Sequence, residues 1–337
     1  MKIKNLLYFV VFTFILGSFA MVSCEGPAGA DGLNGEPGVA GNAVCLTCHN
    51  TATKTLITDQ YDLSGHAAGL YVGYAGGRQG CARCHSHEGY VECQFTGQDT
   101  TASADGVLLP TAIGCGTCHD FHATLDFEND GADYALRDNG AQSLIMYDHE
   151  VTLDMGNNSN VCAYCHQPRR AYDYDAAAVD SFNISSSHWG PHHGPHATLV
   201  YGMGGYEVPG SMSYEADGST SHFADAGCTT CHMHDGNHSW HPELASCTEC
   251  HASATSFDVN GVQTEIAGLI QDLEDALVAK GVMEVTDGEA HVVTGKYPPA
   301  QVGAFFNYAT MVDDRSNGVH NPAYIKALLT NSIESLQ

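Results

Sequence analysis

One five-residue pattern occurs six times along this chain and governs what the rest can fold around. Cys45-Leu-Thr-Cys48-His49 is the first copy. Cys81, Cys84 and His85 form the second, and Cys115, Cys118 and His119 the third. Cys162, Cys165 and His166, then Cys228, Cys231 and His232, then Cys247, Cys250 and His251 complete the series. With 14 cysteines and 20 histidines among 337 residues, chance does not supply six such matches. Structural zinc would need paired C-x-x-C units and would leave the histidine after every pair unexplained. Redox-active pairs of the thioredoxin type belong with alternating strands and helices, a pattern missing here. C-x-x-C-H is instead the attachment sequence of c-type haem. Two thiols one helical turn apart can form thioethers to the two vinyl groups on one porphyrin edge, and the adjacent histidine bonds iron from one face. The pattern predicts six covalently bound haem c groups. The twelve cysteines named are then the tethers, and His49, His85, His119, His166, His232 and His251 the proximal ligands. Cys24 and Cys93 remain: either the two form a disulfide, or Cys24 is modified and Cys93 is an unpaired thiol.

The segments between motifs are too short to fold alone without metals or staples. The expected fold class is therefore a multihaem cytochrome c, with a mostly irregular and short-helical chain wrapped on a haem core and little β structure. The 37 glycines and long Ser/Asp/Gly stretches agree with this through a cytochrome body at residues 42–258. Residues 259–337 read as an α-helical region packing on the haems. Ile266, Leu269, Ile270, Leu273 and Leu277 recur at helical spacing, with Gly281 as a stop. Pro298-Pro299 can open a second helix bearing Val302, Phe305, Phe306 and Ala309. Asn321 can cap a third, with Pro322 in its first turn and Ile325, Leu328, Leu329 and Ile333 following.

Each iron has a second axial site. Electron-transfer haems usually fill it, whereas enzymes leave one open. The surplus of histidine over six motifs favours bis-histidine ligation. His122 lies three residues past His119, on the same side of its own ring, so it is expected to reach a neighbouring iron. His66, in a small-residue stretch, is a candidate distal ligand. So are His222, just before the fifth motif, His238, between the fifth and sixth, and His320, ahead of the last helix. His234 and His241 compete with His238. The loop "SSSHWGPHHGPHATL" supplies His188, His192, His193 and His196, of which one or two are expected to bind; His192 and His193 are the leading pair. Trp189 is expected to pack on haem. His87 and His149 are weaker candidates.

The amino terminus describes export. Lys2 and Lys4 precede an apolar run from Leu6 to Ala20, giving a signal peptide at 1–23. Met-Val-Ser-Cys24 resembles a bacterial lipoprotein cleavage site, which implies lipidation of Cys24, although the residues before the cysteine depart from the usual pattern. Between 24 and 41 glycine returns every third residue, too briefly for a collagen triple helix and suited to a spacer. Net charge is −27, from 39 acidic and 12 basic side chains. That balance argues against nucleic acid as a partner and is compatible with a soluble, self-repelling surface or a cationic partner.

The six motifs, "CAYCHQPR" (162–169), "HWGPHHGPHA" (188–197) and "DDRSNGVHNPAYIKALL" (313–329) together resemble bacterial multihaem cytochromes c, over nearly all of the chain beyond its signal segment. The "GVHNP…LL" ending is similar to the C-terminal region of cytochrome c nitrite reductase and hydroxylamine-oxidoreductase-like proteins, where such a histidine is a distal ligand. That resemblance implies the same role for His320. This chain lacks the CxxCK motif typical of nitrite reductases, which weakens the enzyme reading. The leading expectation is an exported lipoprotein, periplasmic or at the outer membrane or cell surface. It would carry electrons between other redox proteins or to an extracellular acceptor. Two alternatives stand beside it. One is a reductase of nitrite, hydroxylamine or a sulfur oxyanion at one open haem, with Arg169, Arg170 or Tyr164 facing the anion. The other is self-assembly, one subunit lending a distal histidine to the next.

Overall fold

The computed structural model describes residues 41–126, 129, 133–170, 180–192, 194–286 and 289–337. The expected signal segment, Cys24, the glycine-rich spacer and His193 lie outside the described residues. The chain forms two compact units divided after Thr51. In the first, Gly41–Cys48 is a helix that carries the cysteines of the first motif.

Regular structure in the second unit is mostly helical and unevenly distributed. Two helices of ten or more residues come early, α1 (Thr51–Tyr61) and α2 (His87–Thr96). The three longest close the chain: α3 (Val262–Ala279), α4 (Pro299–Asp314) and α5 (Pro322–Ser335). Each has the cause expected from its sequence. Ile266, Leu273 and Leu277 form the buried stripe of α3, and Gly281 follows it at φ +69°, a conformation open to glycine. Pro299 starts α4 where its missing N–H costs nothing. The Asn321 side chain accepts the Tyr324 N–H at 3.1 Å and caps α5.

These helices form one core with parts of the preceding body. Leu199 and Ile184 join Ile266, Leu273, Phe305, Tyr324 and Leu328 in a single buried cluster. Trp189 belongs there too, its ring 5.4 Å from Phe182 and 5.8 Å from Phe306. Two buried asparagines clamp the segment before the fifth motif against the helices. Asn307 accepts from the Tyr206 N–H at 2.7 Å and donates to its carbonyl at 2.8 Å. Asn331 does the same to Met212, at 3.0 and 2.9 Å.

Strands are short and few. β1 (Gln142–Ser143) pairs with β2 (Thr152–Leu153), and β3 (Phe182–Ile184) takes a later partner. β4 (Met283–Thr286) and β5 (Glu289–Val292) pair antiparallel between α3 and α4, and β6 (Gly295–Tyr297) runs antiparallel to β3. The C-terminal region is thus not purely helical. The signal was present as an Asp287-Gly288 pair between two short runs of strand-forming residues.

Candidate haem sites

The motifs themselves are single helical turns. The histidine N–H donates to the carbonyl of the first cysteine in Cys45–His49 (2.8 Å), Cys81–His85 (3.2 Å), Cys115–His119 (2.9 Å), Cys162–His166 (3.0 Å) and Cys247–His251 (2.8 Å). The fifth motif lies within a helix, Gly227–His232. This local bond sets both thiols and the imidazole at the spacing the tether chemistry needs. No disulfide joins the described cysteines.

Motifs distant in sequence abut one another. The side chain of Cys84 lies beside that of Cys165, and that of Cys162 beside that of Cys228. The second, fourth and fifth motifs therefore touch in series. Arg83, inside the second motif, is buried, ion-paired to Asp99 and stacked 4.2 Å from the Tyr164 ring of the fourth. Arg169 reaches Cys81 Sγ at 3.7 Å. Tyr164 and Arg169 are thus engaged in joining motifs.

The histidines pair across the fold. His119 faces His238 with ring centroids 6.3 Å apart, and His232 faces His320 at 6.3 Å. His251 faces His222 at 6.2 Å, and His166 faces His66 at 6.1 Å. In each pair one ring is a motif histidine and the other a candidate from elsewhere in the chain. The second nitrogen of most of these rings is tied back. His119 Nδ1 bonds the Tyr134 carbonyl at 2.7 Å, and His222 Nδ1 bonds that of Val319 at 2.7 Å. His232 Nδ1 bonds the Trp240 carbonyl at 2.9 Å, and His238 Nδ1 bonds that of Gly236 at 2.8 Å. His320 Nδ1 bonds the Asp314 carboxylate at 2.5 Å. Each bond fixes a tautomer and leaves Nε2 for a metal.

This donor set fits haem. Two metal–imidazole bonds of about 2.0–2.1 Å, with about 1.1 Å from each nitrogen to its ring centre, separate trans imidazoles by about 6.3 Å. Burial pushes His66, His166, His232 and His238 below the usual imidazole range, so they are held neutral as ligation requires. Burial would lower His320 as well, but the Asp314 charge outweighs it and raises that group. No three His, Cys, Asp or Glu side chains among the described residues converge on an all-protein metal site. Large apolar side chains also stand exposed near the earlier motifs, including Leu70, Phe95, Leu108, Leu109 and Phe121. A porphyrin face would cover such surface.

The remaining candidates have other neighbours. His122 Nδ1 bonds the Asp133 carbonyl at 2.9 Å, one residue from the anchor of His119. His149 Nε2 meets Asp99 at 2.7 Å and belongs to the Arg83 ion network. His234 lies 3.5 Å from Glu249 and 3.7 Å from Asp235. His87 bonds the Thr117 hydroxyl at 2.9 Å and lines an open cleft of about 600 Å³ with Glu88, Glu92, Phe95 and Arg137. His188 and His192 are exposed, the latter at φ +67°. The ring 6.2 Å from His85 is that of Tyr71.

Two residues near the pairs carried no prominent signal. Trp240 packs against His66 at 4.8 Å and His238 at 5.7 Å while its carbonyl anchors His232. It thereby touches rings from three pairs. Its only sequence mark was its place between His238 and His241. His196, one of four histidines in its loop, sits against His166.

No protein-family model matches the chain, and no curated protein does. Among solved structures, that of the outer cell wall cytochrome OcwA aligns over 82% of this chain with a TM-score of 0.50 and 22% identity. The chain shares its fold with a cytochrome. The alignment spans 50% of OcwA, so this chain covers half the length of that protein. At this identity the likeness to OcwA is one of chain path, and the site rests on the residues described above.

Proposed function

We propose that the chain is a multihaem c-type cytochrome that carries electrons along six closely spaced, mainly bis-histidine haems at the cell envelope or surface. The observation that carries this reading is the spacing of four motif histidines from four others, 6.1–6.3 Å between rings. His66, His238, His320 and His222 serve as distal ligands to the haems of the fourth, third, fifth and sixth motifs. His122 serves as the distal ligand of a further haem. Bound haem supplies an iron that alternates between ferric and ferrous states. Burial holds His66, His166, His232 and His238 neutral, and the second, fourth and fifth motifs abut one another, so that charge could pass between neighbouring haems without a substrate being bound. Tyr164 and Arg169, the residues an anion reductase would use, are turned to joining the second and fourth motifs. The signal sequence, Cys24 and the fold shared with OcwA support export and an envelope location, with other redox proteins or an extracellular acceptor as partners.

Spectroscopy of the ferric holoprotein tests the proposal. Low-spin signals should dominate, and His66→Gly, His238→Gly, His222→Gly or His320→Gly should each convert one haem in six to high spin. Mostly high-spin iron in the parent protein, or rapid turnover of nitrite or hydroxylamine by the reduced form, would overturn it.

A further inference from the structure

His196 lies between two of the paired sites. It opens a short helix, His196–Tyr201, and its Nδ1 is 3.3 Å from Nδ1 of His166. The same ring meets His320 edge to face, with centroids 5.7 Å apart at 88°. Its strap is fastened to the fourth motif on both sides. The Ala197 N–H donates to the His166 carbonyl at 3.0 Å, and the Arg169 N–H donates to the Pro191 carbonyl at 3.2 Å. Gly194, at φ +104°, lies against the backbone of Cys165, His166 and Gln167. Together these contacts hold the ring in place without help from a metal.

The hydrogen bond has only one sense once His166 is a ligand. A neutral imidazole bound to metal through Nε2 carries its proton on Nδ1. His166 is therefore the donor and His196 Nδ1 the acceptor, which puts the proton of His196 on Nε2. His119, His222, His232 and His238 use backbone carbonyls for this purpose. His166 uses an imidazole nitrogen, a better base. A stronger acceptor draws the Nδ1 proton away, enriches the ligand in electron density and stabilises ferric over ferrous iron.

We infer that His196 is a positioning residue that lowers the reduction potential of the fourth-motif haem through its bond to His166, and ties that site to the His320 ligand of the fifth. The inference rests on the pairing of His66 with His166 proposed above. Spectropotentiometric titration of the holoprotein tests it with two variants. His196→Phe keeps a ring against His320 but removes the acceptor; His196→Asn places an amide oxygen where Nδ1 was. One of the six potentials should rise in the Phe variant and return only part of the way in the Asn variant, whose amide oxygen is a carbonyl-type acceptor, with all haems low-spin in both. Should the Phe variant fail to accumulate, His196→Leu replaces it. Unchanged potentials without the acceptor, or equal shifts in both variants, would overturn the role of His196. His66→Gly separates the two levels: if it yields no high-spin haem, the pairing itself falls, and if it yields one while His196→Phe moves nothing, only the role of His196 falls.

Discussion

Arg83 shows how much a single residue can be asked to hold. Its side chain is 6% exposed, its charge is met by Asp99, and its face lies on Tyr164. Asp99→Asn leaves that charge buried without its counter-ion. Because the Asp99 side chain is itself 40% exposed, the expected loss is about 2 kcal/mol, less than for a fully buried pair, read as a lower urea midpoint. Burial alone would raise the Asp99 pKa, but the hydrogen bond from His149 and the Arg83 charge depress it. Its contribution is therefore complete above the ordinary carboxylate value of about 3.9 and fades as pH falls through the lower folded value. The Asn variant should lose that part of the acid dependence. Gly89 is a second such position. A Cβ there would lie 2.4 Å from the backbone of Ala82 in the second motif, which cannot yield as a flexible side chain would. Gly89→Ala should cost about 1–3 kcal/mol, seen as a drop in Tm.

At the scale of elements, caps and stripes decide where helices stand, and helices decide where ligands stand. Asn321 is 1% exposed and caps α5 directly after His320. Asn321→Ala should cost about 1 kcal/mol. It should also broaden the low-spin signal of the haem that uses His320, whereas a substitution at exposed Glu334, at the far end of α5, should leave that signal alone. The three closing helices were legible because apolar residues recur at helical spacing and proline, asparagine and glycine mark the ends. The strands between α3 and α4 were harder to read, since runs of three or four residues give too few alternations to stand out.

Across the whole molecule, stability is unevenly spread. Ile184, Leu199 and the closing helices bury an extensive core. By contrast, Leu63, Leu70, Phe95, Leu108, Leu109, Phe121 and Leu125 are 70–90% exposed. Segments with few buried apolar contacts open first. Protein made without haem attachment should be cut by protease between residues 52 and 134 while 262–337 stays protected. Attachment of haem should close that difference, and limited proteolysis followed by mass spectrometry measures it. Equal protection of both regions without haem would show that the polypeptide alone stabilises the early motifs.

By itself the sequence determined the chemistry of attachment. Six C-x-x-C-H turns are local, each closed by a bond between residues four apart, so adjacent residues suffice to specify them. It also determined the capped helices, for the same reason. Which histidines meet was decided only by the tertiary structure. His119 and His238, or His232 and His320, come together through packing of segments far apart in the chain, and linear spacing holds no record of that. From sequence, His122 was expected to reach a neighbouring iron, His238 competed with His234 and His241, and His196 was one of four in a loop. Folding sets His238 opposite His119, places His196 beside His166, and packs Trp189 against the apolar core, because burial and hydrogen-bond satisfaction act on the whole chain at once.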